Sequence, residues 1–264
     1  MEQSLTSAQG YVRYILSAKG IALPPLPRTC LIDYSNIFLE EAKKRFPVYQ
    51  MVDIGSRKPE EVYFFRKSHG NDFSIITPQY GDAMAAMTLE ELAALQSGKT
   101  AFHRFLSMGT AGHPTAQEEP ALPVGRIVLV RDALSYEGTS PHYAENDRPQ
   151  AHEGINRKLR SVLQRRGVNF TEGTVATTPA IYRETPSFIR DAIERGACVL
   201  DMETSALLTV ARYLDRPIGT LLYVSDIVQM KKGESGWDVQ FLSGDVTKAE
   251  EALFGVFLDF VDES

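Results

Sequence analysis

Val199-Leu-Asp-Met-Glu-Thr-Ser-Ala-Leu207 and, further along, Leu222-Tyr-Val-Ser-Asp-Ile227 place three carboxylates, Asp201, Glu203 and Asp226, at the ends of two apolar runs. The first run reads as a strand that passes into a helix at Glu203. Ala206, Leu207, Val210, Ala211 and Leu214 recur at spacings of three and four, the mark of one buried helical stripe. The second run, Ile218 to Val224, follows Pro217 and reads as a strand that delivers Asp226 at its C-terminal end. Ligands of α/β sheets gather at that end of the strands. Two strand-to-acid junctions so close together therefore predict both an α/β fold and the neighbourhood of its site.

Working outward, apolar runs alternate with amphipathic stretches. Strand-like or helical segments are expected at Cys30 to Ile32, Asn36 to Phe46, Val62 to Phe65, Phe73 to Thr77, Leu89 to Leu95, Phe102 to Met108 and Ile127 to Val130. They continue at Ile155 to Arg165, Thr174 to Thr178, Pro186 to Arg195, Cys198 to Met202, Glu203 to Leu214, Ile218 to Val224 and Ala249 to Phe260. Short strands separated by helices imply a largely parallel or mixed sheet. Residues 1–28 read as an N-terminal extension: a helix-like Ala8 to Ala18, then the stiff Leu23-Pro-Pro-Leu-Pro-Arg28, which cannot be a central strand. Residues 29–264 read as one domain. Asp132 to Pro149 is a long connector rich in Ser, Gly, Pro, Tyr and His, the composition of a lid or ligand-contact loop, and Gly233 to Ser235 marks a second loop.

With 264 residues and 43% hydrophobic content the chain can bury a sizeable core. A net charge of −6 speaks against a nucleic-acid partner, which would call for a basic face. Cys30 and Cys198 lie in apolar, strand-like surroundings and read as reduced core residues. Met1 to Gly20 mixes Glu2, Arg13 and Lys19 with short apolar pieces, unlike a secretory signal, and no stretch approaches the roughly 20 apolar residues of a membrane span. A cytoplasmic protein with no membrane partner is expected.

Asp-Met-Glu opening a helix, followed by Val-Ser-Asp closing a strand, closely resembles the nucleoside phosphorylase and nucleosidase superfamily, enzymes that cleave the bond between ribose and a nucleobase. The resemblance implies a three-layer α/β/α sandwich with a mixed central sheet. It also implies roles. Glu203 would accept hydrogen bonds from the 2′ and 3′ ribose hydroxyls, Met202 would pack on the sugar, and Asp201 stands where the family has another acid. In the Ser225-Asp226 pair, the aspartate would protonate the imidazole nitrogen of a purine-like base. Phe105-Leu-Ser-Met-Gly-Thr-Ala-Gly112 is similar to the family's strand and Gly-Thr turn on the nucleophile side, which assigns Gly109 and Thr110 to that side. Gln79-Tyr-Gly81 is similar to a Gly-rich turn, and Thr177-Thr-Pro-Ala-Ile-Tyr-Arg-Glu184 to the segment that lays a side chain, Ile181 or Tyr182, against the base. Read from the residues alone, Glu203 could merely complement its helix dipole, worth ~0.3 to 1 kcal/mol, and Asp226 could cap the next segment.

The departures from the family pattern bear on the acceptor. Where its phosphorylases carry an arginine before the Gly-Thr turn, this chain has Ser107; where they carry a Gly-Asp-Pro-x-Arg turn, it has Ile32-Asp-Tyr-Ser-Asn-Ile37. The hydrolases' water-activating glutamate near the first strand is also unmatched, with Asp33 as a positional substitute. Hydrolysis is therefore favoured over phosphorolysis. A nucleoside-binding or storage protein without turnover is a third reading, though a pure binder would not need the proton donor Asp226. The scattered histidines, His103, His113, His142 and His152, show no ligand spacing, so neither a metal nor an organic cofactor is expected. The resemblance further implies a homo-oligomer, with Arg57 and the N-terminal extension as candidates for an interface role. Lys231-Lys232 reads as a solvated turn.

Overall fold

The structure, a computed structural model, describes residues 4–116, 122–230 and 236–263. Apolar periodicity in the sequence becomes α1 (Ala8–Lys19), β1 (Thr29–Asp33), α2 (Ile37–Arg45), β2 (Val48–Asp53), β3 (Glu61–Phe65), β4 (Phe73–Ile76) and α3 (Asp82–Ala94). A small hairpin of β5 (Gln96–Ser97) and β6 (Thr100–Ala101) precedes β7 (Arg104–Thr115), β8 (Ile127–Ser135), α4 (Glu153–Arg165), β9 (Phe170–Thr177), α5 (Pro186–Glu194) and β10 (Ala197–Asp201). The chain ends with α6 (Thr204–Tyr213), β11 (Ile218–Gln229), β12 (Trp237–Val239) and α7 (Gly244–Asp262). Local chemistry sets several boundaries. Thr185 accepts from the Phe188 N–H at the start of α5, with Pro186 in the first turn where its missing N–H costs nothing, and Ser243 does the same for Val246 at the start of α7.

Ten strands form one mixed sheet in the order β12-β11-β8-β9-β10-β7-β1-β4-β3-β2, and β7 also pairs with β11. Because β7 meets both β10 and β11, while β8 and β9 bridge those two, five strands curl into a closed ring at one end of the sheet. Helices cover both faces, giving the three-layer α/β/α arrangement. On one face Val12 of α1, Leu89 and Leu92 of α3, and Leu207 and Val210 of α6 share a cluster with Val128 and Leu222. On the other, Phe38 of α2, Leu159 and Val162 of α4, and Phe257 and Phe260 of α7 pack with Leu129 and Tyr223. Leu222 and Tyr223 are neighbours in sequence and serve opposite layers, as a two-residue strand period requires.

Several sequence expectations change in detail. Gly109 to Gly112 is not a turn: β7 runs through it to Thr115, held by β11 as far as Gln229. Asp226 accordingly sits inside β11 rather than at its end, and does not cap a following segment. The Asp132 to Pro149 connector begins as strand. It is then pinned by Ala133 N–H to the Pro149 carbonyl (3.0 Å), Ser135 N–H to the Asp147 carbonyl (2.9 Å), and ion pairs from Asp132 to Arg131 and Arg148. A connector so tied is not a lid. Of the N-terminal extension, residues 4–28 are described, and Lys19 pairs with Asp53 at 2.7 Å while the Tyr11 hydroxyl donates to the Ile54 carbonyl. The loops expected at Lys231-Lys232 and Gly233 to Ser235 lie outside the described residues. Cys30 is buried, Cys198 half-buried, and both are free thiols. Among the described residues no helix is long and apolar enough to cross a membrane.

Candidate active site

The β10–α6 junction shows how adjacent acids divide their work. Asp201, the last residue of β10, accepts from the Thr177 hydroxyl (2.6 Å), the Thr204 N–H (3.0 Å) and the Thr204 hydroxyl, so it is Asp201 that caps α6. Glu203 makes no capping bond. Its carboxyl turns the other way, accepting from the Gly81 N–H (2.7 Å) and the Met202 N–H (3.2 Å). A carboxylate has about four acceptor positions, so each oxygen of Glu203 keeps capacity for one more donor. Glu203 is 8% exposed, and burial, reinforced by the negative Asp201 beside it, pushes its pKa up to about 8. Burial raises Asp201 too, against its three donors. The pair is an electron-rich pocket that gains from any bound group bearing hydroxyl donors.

Asp226 is aimed by a strand irregularity. Between Val224 and Asp226 the parallel register of β11 on β7 slips by one residue, a bulge that leaves Ser225 unpaired and turns Asp226 toward the cavity. The Ser225 hydroxyl donates to Asp226 Oδ1 and the Trp237 indole Nε1 to Oδ2, each at 2.7 Å. Gly112 leaves room opposite: a Cβ there would lie 3.0 Å from Asp226 Oδ2. Glu184, after the helical turn Ile181–Arg183, has no hydrogen-bond partner among the described residues. Burial first, then the negative Asp226, raises its pKa to about 7. Tyr182 is 84% exposed and meets the Trp237 ring edge-on, with centroids 6.2 Å apart.

Near β1 the chemistry is different. Asp33 is fully buried and spent on its own turn, accepting from the Ser35 N–H (2.9 Å), the Ser35 hydroxyl (2.7 Å) and the Leu39 N–H (2.9 Å). It holds the entry of α2 and does not reach the cavity, which removes it as a substitute for the water-activating acid. Tyr34 packs against Gly109, where a Cβ would meet the Tyr34 Cβ at 3.0 Å, and its buried hydroxyl has no partner among the described residues. On α7, Glu250 accepts from the Tyr223 hydroxyl at 2.9 Å.

These elements enclose a cavity of about 440 Å³, within the size range of small-molecule sites. Of the residues singled out in the sequence, Asp226, Glu203, Met202, Asp201, Ile181, Tyr182, Thr110 and Gly109 line it. Gly81 and Ser225 do not: the first holds Glu203 by its N–H and the second holds Asp226 by its hydroxyl. Arg57 is exposed and away from the cavity. Sequence reasoning did not single out Tyr34, Glu184, Trp237 or Glu250. The only tryptophan of the chain, close after Asp226 and able only to donate, was the available signal for one of them. Among the described residues no group of His, Cys, Asp and Glu is placed to hold a metal ion.

An α/β/α sandwich with carboxylates collected where β7, β10 and β11 converge defines a class of ligand-cleaving or ligand-binding α/β proteins. Comparison with known proteins narrows it. The sequence pattern of the phosphorylase superfamily matches residues 39–262, and the chain belongs to that superfamily. It is 28% identical over 177 residues to an uncharacterized protein of Acanthamoeba polyphaga mimivirus (67% of this chain, 63% of that protein). It is 27% identical over 159 residues to a uridine phosphorylase of Thermococcus kodakarensis (55% and 54%). These alignments thus span less than two thirds of either relative. Among solved structures, an AMP nucleosidase from Bacteroides thetaiotaomicron superposes with a TM-score of 0.68 at 19% identity, covering 96% of this chain and 99% of that one. A purine nucleoside phosphorylase from Toxoplasma gondii in complex with immucillin-H superposes with a TM-score of 0.73 at 15% identity, covering 99% and 98%. The fold is therefore that of nucleosidases and nucleoside phosphorylases alike.

Proposed function

We propose that the protein hydrolyses the N-glycosidic bond of a purine-like nucleoside. The observation that carries this reading is the composition of the cavity wall, rich in acids and without a cation among the described residues. Glu184, Asp201, Glu203, Asp226 and Glu250 line it, and among the described residues no lysine, arginine or histidine does. A phosphate dianion taken from water needs several aligned donors, best a guanidinium fork, and here it would enter an acidic field with no cation among the described residues to meet it. Water carries no such penalty. The same field suits the transition state, in which the ribosyl ring becomes cationic as the base departs with the bond electrons.

In this mechanism Glu203 uses its two free acceptor positions to grip the 2′ and 3′ hydroxyls, while Met202 packs on the sugar. Ile181 and Tyr182 flank the base. Asp226, held at both oxygens by Ser225 and Trp237, delivers a proton to the leaving nitrogen, which is why a purine-like base is favoured. Thr110 lies on the side from which water approaches. Assembly as a homo-oligomer belongs to the same proposal: Tyr80 and Tyr182 at the cavity rim are 68% and 84% exposed, aromatic surface that a second copy would cover.

The test is a screen of adenosine, inosine and uridine with and without phosphate, reading both free base and sugar. Base release and free ribose in phosphate-free buffer are expected from a purine nucleoside. A strict need for phosphate, with ribose 1-phosphate as product, would return the enzyme to the phosphorylases.

A further inference from the structure

Hydrolysis at C1′ needs a group to receive the proton of the attacking water, and the five carboxylates of the cavity are not equivalent candidates. Asp201 is consumed by three donors at the α6 terminus, and Glu203 is held by Gly81 and Met202 beside it. Asp226 and Glu184 lie together at the Trp237 end. Glu250 comes from a different layer, α7, and stands against Tyr223, whose backbone is in register with Thr110 on the neighbouring strand β7. Tyr223 and Asp226 are three residues apart on β11, a separation of about 10 Å along the strand. The acid at the Tyr223 end is therefore removed from the acids at the base end.

We infer that Glu250 is the general base that activates the attacking water, an assignment that rests on the hydrolytic reading above. Its Oε1 is fixed by the buried Tyr223 hydroxyl, and its Oε2 has no partner among the described residues, which leaves one oxygen for a water in the cavity. Tyr223 is itself wholly buried, so the carboxyl is held by a side chain that cannot swing away. The groups facing Glu250 are Tyr223 on β11 and the buried Asp33 at the end of β1. Burial and the negative Asp33 raise its pKa, while the Tyr223 hydrogen bond opposes them; a raised pKa favours accepting a proton in the transition state.

The step balances without any further reactant. Glu250 takes a proton from water as the water oxygen bonds to C1′. The C1′–N bond breaks with its electron pair going to the base, and the base receives a proton from Asp226. Products are free base and ribose, and exchange with solvent resets both carboxyls.

Three measurements with adenosine and inosine in phosphate-free buffer test the assignment. Glu250→Gln should bind nucleoside as the unaltered enzyme does but turn over ~100-fold or more slowly, within the range general base catalysis supplies. The fall of kcat toward acid pH, caused in the unaltered enzyme by protonation of Glu250, should be absent from the variant. In Glu250→Ala, azide, a nucleophile that needs no deprotonation, should restore base release with glycosyl azide as product. Near-normal turnover of Glu250→Gln, or loss in Glu250→Ala that azide leaves unrelieved, overturns the role of Glu250 while free ribose from the unaltered enzyme keeps hydrolysis intact. Ribose 1-phosphate formed only with phosphate would overturn both.

Discussion

A single indole N–H decides how Asp226 is presented. With Ser225 on Oδ1 and Trp237 on Oδ2, the carboxyl has both oxygens oriented, and a bound base must meet it in one plane. Asp226→Asn keeps the size and removes the transferable proton, so kcat for a purine nucleoside should fall by ~10² to 10⁴ with little change in binding. Trp237→Phe keeps an aromatic ring but removes the donor, leaving Asp226 Oδ2 a buried acceptor without its partner, a loss of about 1 to 3 kcal/mol. Its kcat should lie between the two, with Tm lowered by about 2 to 12 °C and the fold retained. Steady-state kinetics with both variants checks this ordering, and a Trp237→Phe enzyme as active as the parent would show that the indole does not position the acid.

At the scale of elements, the site is made where β7 and β11 run side by side and the bulge at Ser225 re-aims β11. A regular β11 would turn Asp226 to the other face, because one residue of slip exchanges the faces of a strand. Gly112 on β7 is the complement of that bulge, and its φ lies outside the left-handed region, so its value is space rather than backbone freedom. Gly112→Ala places a methyl 3.0 Å from Asp226 Oδ2 and 3.6 Å from its Cγ, displacing the carboxyl by a few tenths of an ångström. Since misplacing a catalytic group by about 1 Å can cost ~100-fold, a loss of roughly 10-fold in kcat is expected with the fold retained. Kinetics alongside thermal melting separates this from general destabilisation; a large fall in Tm would mean the glycine serves the sheet instead.

Across the whole molecule, buried acids make stability depend on pH in an unusual direction. Glu91 and Glu184 are raised to about 7 and Glu203 to about 8, each mainly by burial. Such groups hold their protons more tightly when folded. The stability they contribute is complete below their unfolded value near 4.5 and is lost as pH rises through 7 to 8. Asp53, Asp132, Glu137 and Glu172, which are lowered by their donors or cations, contribute in the opposite sense and lose their share only as pH falls toward and below 4. Tm should therefore peak near pH 5 to 6 and decline by several degrees toward pH 9, at ~2 to 4 °C per kcal/mol for a chain of this size. Calorimetry across that range is the measurement, and a Tm that rises between pH 6 and 9 would contradict the assigned shifts.

The sequence by itself determined the α/β alternation and the two strand-to-acid junctions, because periodicity and local spacing are properties of neighbouring residues, and its resemblance to a known family pointed to eight residues that line one cavity. Asp201, Met202 and Glu203 could be read together since one β10–α6 junction carries them. Tertiary structure alone decided which acid caps the helix and which turns its carboxyl away from it, as both are a residue or two from the same terminus and only the Gly81 and Thr177 partners, distant in sequence, separate them. It alone extended β7 through Gly109 to Gly112, since β11 supplies the hydrogen bonds that keep a glycine-rich segment extended. It alone brought Glu250 of the last helix and Glu184 to the same cavity, and set the indole of Trp237 of β12 against Asp226. Their places depend on how the sheet closes and on which layer each helix covers, and no local pattern encodes a contact made across layers.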